Sequence, residues 1–596
     1  MLPILLSLLA QDVHCPSYPA PLRAAVAQAL QADRVYQTRT RSAQAAAINL
    51  PRANFIDEHI LGRMAADEVN PAPMTSDAEF LRRTYLDLTG RIPQPAEADA
   101  FLKNPQRPQL IERLLASDAY VSQWTLYFAN RLRVTRAGNS RVGLDRRNAF
   151  ARYLRDFVQR DRPYPQFVRE LLTAAGDADA TPAAAFLIQV YSNANFGPTQ
   201  DFYDNLTDLV TTEFLGFKTE CVSCHNGRGY LEKINVYLTK KRRSDFWATA
   251  AFFSRLDVTA LQDRDFSVYR FYLQDRNSGT YVGTVNPDNP GMRPPRANGT
   301  VDRPSFLLNN AEPSSENWRQ DFAKLVTEDR QFARAAVNYL WAAMFRTGIV
   351  DPPNAWDLAR VDPRNPPPGD WPLQNSHPEL LEALTDYFIQ NNYSTKAVLR
   401  LMANSTAWQL SSRYEGNWQP AYARYFARHQ PRRLAAEEIY DAAVIATQTE
   451  APMVIPGYDA PVLFANELPD AAEPSSDYRA AEMLRQFGRG NWIDAARDNS
   501  PNLLGLLYAL NGWELTGRTL EANWPGAAIN RVSRVAGADT SDEEAMRQMY
   551  LATLTRPPTE DETRIVLASR RALTRSAWLS RLQWALINKL DFIFNY

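Results

Sequence analysis

The chain has 596 residues, a formal net charge of −1, 45% hydrophobic residues and 22% charged residues. That length suits about three or four domains of roughly 150 residues, and the balanced charge excludes the basic surplus that nucleic acid or an anionic membrane surface demands. Three cysteines, Cys15, Cys221 and Cys224, are too few for a disulfide framework or a four-cysteine zinc site. The 13 Trp, 26 Tyr and 27 Phe predict a large aromatic core.

In chain order, Met1–Ala10 is apolar and followed by Gln11-Asp12, which resembles the apolar region of a secretory signal. A signal segment is therefore expected over 1–18. No basic residue precedes it, which leaves room for a start further upstream. No apolar stretch reaches the ~20 residues of a membrane span. Residues 19–50 read as an Ala/Gln-rich helical extension. Ser76 and Glu79 have capping-box spacing, with Phe80, Leu81, Tyr85 and Leu88 forming the apolar stripe of a helix that Gly90 and Pro93 end. YLDLTGRIPQPAE at 85–97 is echoed by YLATLTRPPTEDE at 550–562, with Tyr, Leu, Arg, Pro and Glu at one constant offset. Both read as helix, proline break, helix. The choice between a common packing device and an old duplication is left open.

Cys221-Val222-Ser223-Cys224-His225 is the attachment signature of one c-type haem. The two thiols bond the haem vinyl groups, and the histidine is the proximal iron ligand. A Cys221–Cys224 disulfide or a partial metal site are the other readings of the pattern. Only four further histidines exist, His14, His59, His377 and His429. His59 and His429 read as ordinary helical positions. Lys240-Lys241-Arg242-Arg243 reads as a solvated helix start or, alternatively, as a docking patch for an acidic partner or haem propionates. FSVYRFYLQDRNSGTYVGTV at 266–285 predicts a hairpin turning at Asn277-Ser278-Gly279. A proline-rich loop follows, and Met292 in Pro290-Gly291-Met292-Arg293-Pro294-Pro295 is the candidate distal iron ligand. A second capping box is expected at Ser376 and Glu379, with His377 structural in the first turn of that helix. No serine-hydrolase elbow, zinc-protease or P-loop pattern occurs.

Several separated stretches resemble one family. Phe80–Leu115, the C-x-x-C-H and Ala250-Ala251-Phe252-Phe253 resemble the planctomycete-cytochrome-associated domain of unknown function 1549. Phe332–Gly348, Ser376–Leu381, Leu399–Ser411 and Trp584–Phe592 resemble the companion domain of unknown function 1553. The resemblance covers roughly residues 50–596. It implies an exported bacterial protein carrying haem c at Cys221, Cys224 and His225. Many members have a second histidine and an Asp-Pro soon after the motif. Here Asn226-Gly227-Arg228-Gly229-Tyr230 stands instead.

The expected architecture is mainly α and multi-helical. A helical domain carries the motif (51–256), a β-rich insertion and Pro-rich loop follow (257–305), and a helical companion domain ends the chain (306–596). Trp247, Phe252 and Phe253 are expected to pack near the haem. The expected function is one-electron transfer with a redox partner protein, in the periplasm, at the outer membrane or outside the cell. The alternatives are a haem-dependent redox enzyme, acting on a small molecule or polysaccharide, and a non-haem secreted interaction protein with a Cys221–Cys224 disulfide.

Overall fold

The computed structural model describes residues 50–132, 141–193, 199–262, 269–283, 293–296, 299–490, 497–500, 503–520 and 529–596. The expected signal segment, the Ala/Gln-rich helix, His14, Cys15 and Met292 lie outside the described residues. The chain is 56% helical with a few short antiparallel strands, which is the mainly α class expected.

Helix α1 (Asp77–Thr89) starts where Ser76 Oγ accepts from the Glu79 amide at 3.3 Å and stops at Gly90, left-handed with φ +66°. The cap is only half of a capping box, because the Glu79 carboxylate accepts from Thr75 Oγ1 at 2.7 Å instead. The sequence predicts one apolar stripe. In the structure every residue from Phe80 to Thr89 is buried, because α1 runs between two hydrophobic cores. Phe80, Leu81, Tyr85 and Leu88 join a first core that extends from Ile56 to Ala427, with Leu551 added from near the end of the chain. Leu86 joins a second core, built mainly from Leu434 to Ile593. Each fully buried Leu or Phe in such a core contributes roughly 1.5–3 kcal/mol.

Helix α2 (Pro95–Lys103) follows the break after α1, capped at Gln94. In the first core, α3 (Thr199–Leu215) lies directly before the motif helix α4 (Glu220–Cys224), and α4 packs against α5 (Arg243–Ala250). Helix α6 (Trp318–Glu328) brings Phe322 against Phe252 and Phe253, at ring-centroid distances of 4.9 and 5.3 Å. Helix α7 (Arg330–Phe345) packs on α3 and on α8 (Pro378–Gln390). The second capping box does not form. His377 is the N-cap of α8 and makes no side-chain cap bond. Ser376 Oγ donates to Ile349 O at 3.0 Å, because Pro378 occupies the first turn and removes an amide that a cap would satisfy.

A three-stranded antiparallel sheet has the order β1 (Gly176–Asp177), β3 (Tyr269–Asp275), β2 (Leu256–Gln262). The hairpin is therefore one strand earlier than expected. Leu256 pairs with Asp275 and Gln262 with Tyr269, so Asn277-Ser278-Gly279 lies beyond β3. The local turn signal at Asn277-Ser278-Gly279 loses because 256–262 already supplies a strand partner. Tyr281 instead bridges Val301.

In the second core, all of α9 (Ala436–Thr447) is buried. Helix α10 (Leu503–Asn511) sits at its edge. Helices α11 (Asp542–Leu554) and α13 (Arg575–Ile587) pack together, and α12 (Glu560–Ser569) follows the proline break between them. The short strands β4 (Arg432–Arg433) and β5 (Phe594–Asn595) pair nearby. The sequence echo is a structural one. Ser76 and Ser541 are both N-caps, Gly90 and Thr555 are both left-handed, and Glu97 and Glu562 each accept from the cap amide at 2.9 Å.

Candidate functional site: the Cys-x-x-Cys-His turn

One helical turn carries both cysteines, so their side chains leave neighbouring positions of α4. Cys221 is 4% exposed and Cys224 is half-buried, and no disulfide joins the two. Asp208 of α3 anchors the start of the turn. Its carboxylate accepts from the Thr219 amide at 2.9 Å and from Thr219 Oγ1 at 3.2 Å, and burial raises its pKa.

His225 ends α4 with extended backbone. Its Nδ1 lies 2.8 Å from Asn226 O. A carbonyl oxygen only accepts, so Nδ1 carries a hydrogen, and in the neutral ring the lone pair is then on Nε2. The ring stacks on exposed Tyr230 at 4.3 Å, so an aromatic stands in the stretch where many members have the second histidine.

The segment after the motif is held tightly. Asn226 Oδ1 accepts from the Arg243 amide at 2.9 Å, and the Gly227 amide donates to Lys241 O at 2.8 Å. A Cβ on Gly227 would fall 1.8 Å from Leu238 O, so only glycine fits. The basic run splits in two. Lys240 and Arg242 are exposed, whereas Lys241 and Arg243 are half-buried. Lys241 donates to Leu307 O at 2.6 Å. Arg243 lies 4.9 Å from the centre of the Trp247 ring, donates to Ser223 O at 2.8 Å and to Pro295 O at 2.8 Å, and reaches Pro294 O.

Ser223, between the two cysteines, also receives Arg293 Nε on its hydroxyl at 2.8 Å. Behind it, Arg296 pairs with Asp201 and with Asp204 (2.6 Å) and donates to Tyr281 Oη at 2.9 Å. Burial, the largest influence, pushes the Asp204 pKa up against the two arginines. The Pro-rich loop is thus fastened to the motif by residues on either side of its turn. Arg293 and Gly227 are site residues that the sequence did not single out, and Arg243, expected as part of a solvated or docking run, instead bonds the motif itself. The signals for the first two were a position next to Met292 and a glycine in a departure from the family pattern.

The other candidates lie elsewhere. Phe252 and Phe253 face α6 within the core. His377 is buried, with its pKa pushed down to about 3 by burial. His429 is not helical; it lies buried in a loop, its amide donating to Ser411 O at 3.2 Å. Among the described residues no three His, Cys, Asp or Glu side chains converge as a metal-holding group. Two cysteines on one turn, followed by an imidazole whose Nδ1 is engaged by a backbone carbonyl, are a donor set that fits covalent haem.

No curated protein and no solved structure matches the chain. Residues 55–258 match the family model PSCyt2, a protein of unknown function (DUF1549), and residues 318–569 match PSD1, a protein of unknown function (DUF1553). The first match contains the motif and the second begins at α6. The chain therefore belongs to the family in which a DUF1549 domain is followed by a DUF1553 domain.

Proposed function

We propose that this chain is an exported, monohaem c-type cytochrome-like protein that passes single electrons to a redox partner in the periplasm or at the cell surface. The observation that carries the reading is the Nδ1–H···O bond from His225 to Asn226, which in the neutral ring leaves Nε2 to coordinate, on the same turn as two cysteines that no disulfide joins. Bound there, haem c supplies a one-electron iron couple. Cys221 and Cys224 hold it, and His225 supplies the proximal ligand. Met292 is the candidate on the opposite side; its neighbour Arg293 bonds Ser223 within the motif. Exposed Lys240 and Arg242 offer a small positive face to an acidic partner.

Expressed in a host with haem c maturation, the protein is expected to give a reduced pyridine haemochrome spectrum. The double variant Cys221→Ala/Cys224→Ala should lose it. A wild type without covalent haem overturns the reading. A high-spin spectrum would move it from electron carrier to haem-dependent redox enzyme. Met292→Ala should alter the axial-ligand band, and an unchanged band removes Met292.

A further inference from the structure

Far along the chain from the motif, a cavity of about 390 Å³ opens where β4 and β5 meet α10. This size lies at the lower end of the roughly 300–1,000 Å³ usual for small-molecule sites. Phe487, Leu503, Leu506, Leu590 and Ile593 line it, and among the described lining residues Arg433 alone is charged. Helix α10 is inverted relative to an ordinary surface helix. Its small residues Gly505 and Ala509 face inward, while Leu503 and Leu504 are 69% and 67% exposed. Leu590, across the mouth, is 70% exposed. The entrance is therefore greasy as well as the interior.

Arg433 is only 6% exposed. Its guanidinium donates to three backbone carbonyls: Asn499 O at 2.9 Å, Phe487 O at 2.9 Å and Asp498 O at 3.0 Å. Nη1 has no hydrogen-bond partner among the described residues. The two nearby acids favour its charge from a distance, but neither carboxylate bonds to it. Glu438 is engaged by Arg432 and the Ala435 amide, and Asp498 accepts from the Ser500 amide at 2.8 Å. Carbonyl dipoles satisfy its donors, but among the described residues no carboxylate is in ion-pair contact with it, and a buried guanidinium without a contacting anion is costly unless something supplies one.

We propose that this cavity binds an amphipathic anion, with an acyl chain among the leucines and a carboxylate or phosphate head at Arg433. A free fatty acid and an anionic membrane lipid share that chemistry. The test is calorimetric titration with decanoate below its micellar concentration, beside decanol, and co-sedimentation with phosphatidylglycerol or phosphatidylcholine vesicles. Decanoate is expected to bind saturably and decanol about tenfold more weakly, the effect of one charge-assisted hydrogen bond. Arg433→Gln should show the same loss of about tenfold. Because Arg433 also holds three carbonyls, Leu506→Glu at the exposed mouth serves as a second variant; it should weaken decanoate binding with an unchanged melting temperature. Binding of phosphatidylglycerol vesicles without decanoate supports the membrane lipid as the source, and decanoate binding supports the free acid. Three results overturn the proposal: neither ligand bound up to about 1 mM, decanol equal to decanoate, or Leu506→Glu equal to wild type.

Discussion

The two helix–break–helix units carry the same backbone and opposite wiring. In the first, α1 is buried along its length, and Arg82 donates to Thr553 O (3.3 Å) and Phe592 O (2.8 Å). In the second, the matching Arg547 lies partly exposed and pairs with Glu544 and Asp99, each at 2.8 Å. Asp87 of α1 gathers Arg346, Arg432 and Asn595, tying both cores together, while its counterpart Ala552 is simply buried. Arg91 reaches Asn466 and Glu467 outside its unit, whereas Arg556 pairs with Glu562 of its own unit as well as with Asp591. Local sequence sets the turn; the surroundings decide whether its polar side chains stabilise a junction or decorate a surface.

The sharpest way to break the comparison is Asp87→Ala. It leaves Arg346 and Arg432 without that carboxylate at the junction and should cost about 3–5 kcal/mol in chemical denaturation. Arg547→Ala in the second unit should cost about 1 kcal/mol or less. Equal costs would mean the two units are equally embedded.

The left-handed positions should respond with opposite signs. A Cβ on Gly90 would lie 2.1 Å from Gln123 Oε1, so Gly90→Ala should destabilise by about 1–3 kcal/mol. Thr555 holds φ +62° with a branched side chain; Thr555→Gly should stabilise by about 0.5–1 kcal/mol, less the weak 3.5 Å contact from Arg82. Thermal melts of the two variants read the sign directly.

The smallest effect concerns Glu562, whose pKa is held below the usual carboxylate range by Arg556, with Lys589 and the Thr559 amide assisting. A depressed folded pKa contributes stability above the unfolded value, about 4.3, and loses it as pH falls below that value. Wild type should therefore exceed Glu562→Gln by about 1 kcal/mol or less at pH 7, and the two should converge on acidification. A gap that widens at low pH would contradict this assignment.

The sequence by itself determined what depends on short spacings. Ser76 with Gly90, and the helix, proline break and helix at 85–97 and again at 550–562, are visible because caps and chain breaks act within a few positions of the chain. The C-x-x-C-H pattern likewise named Cys221, Cys224 and His225. Only the tertiary structure decided what depends on distant partners. It buried Arg82 and Arg83 between two cores, paired β3 with β2 rather than with the segment after Asn277, and displaced Ser376 from the cap of α8. At the motif it brought Arg243 and Arg293 onto Ser223 and set Tyr230 against His225. The reason is physical: an arginine reads as a surface residue until the carbonyls or carboxylates that desolvate and satisfy it arrive from elsewhere in the chain.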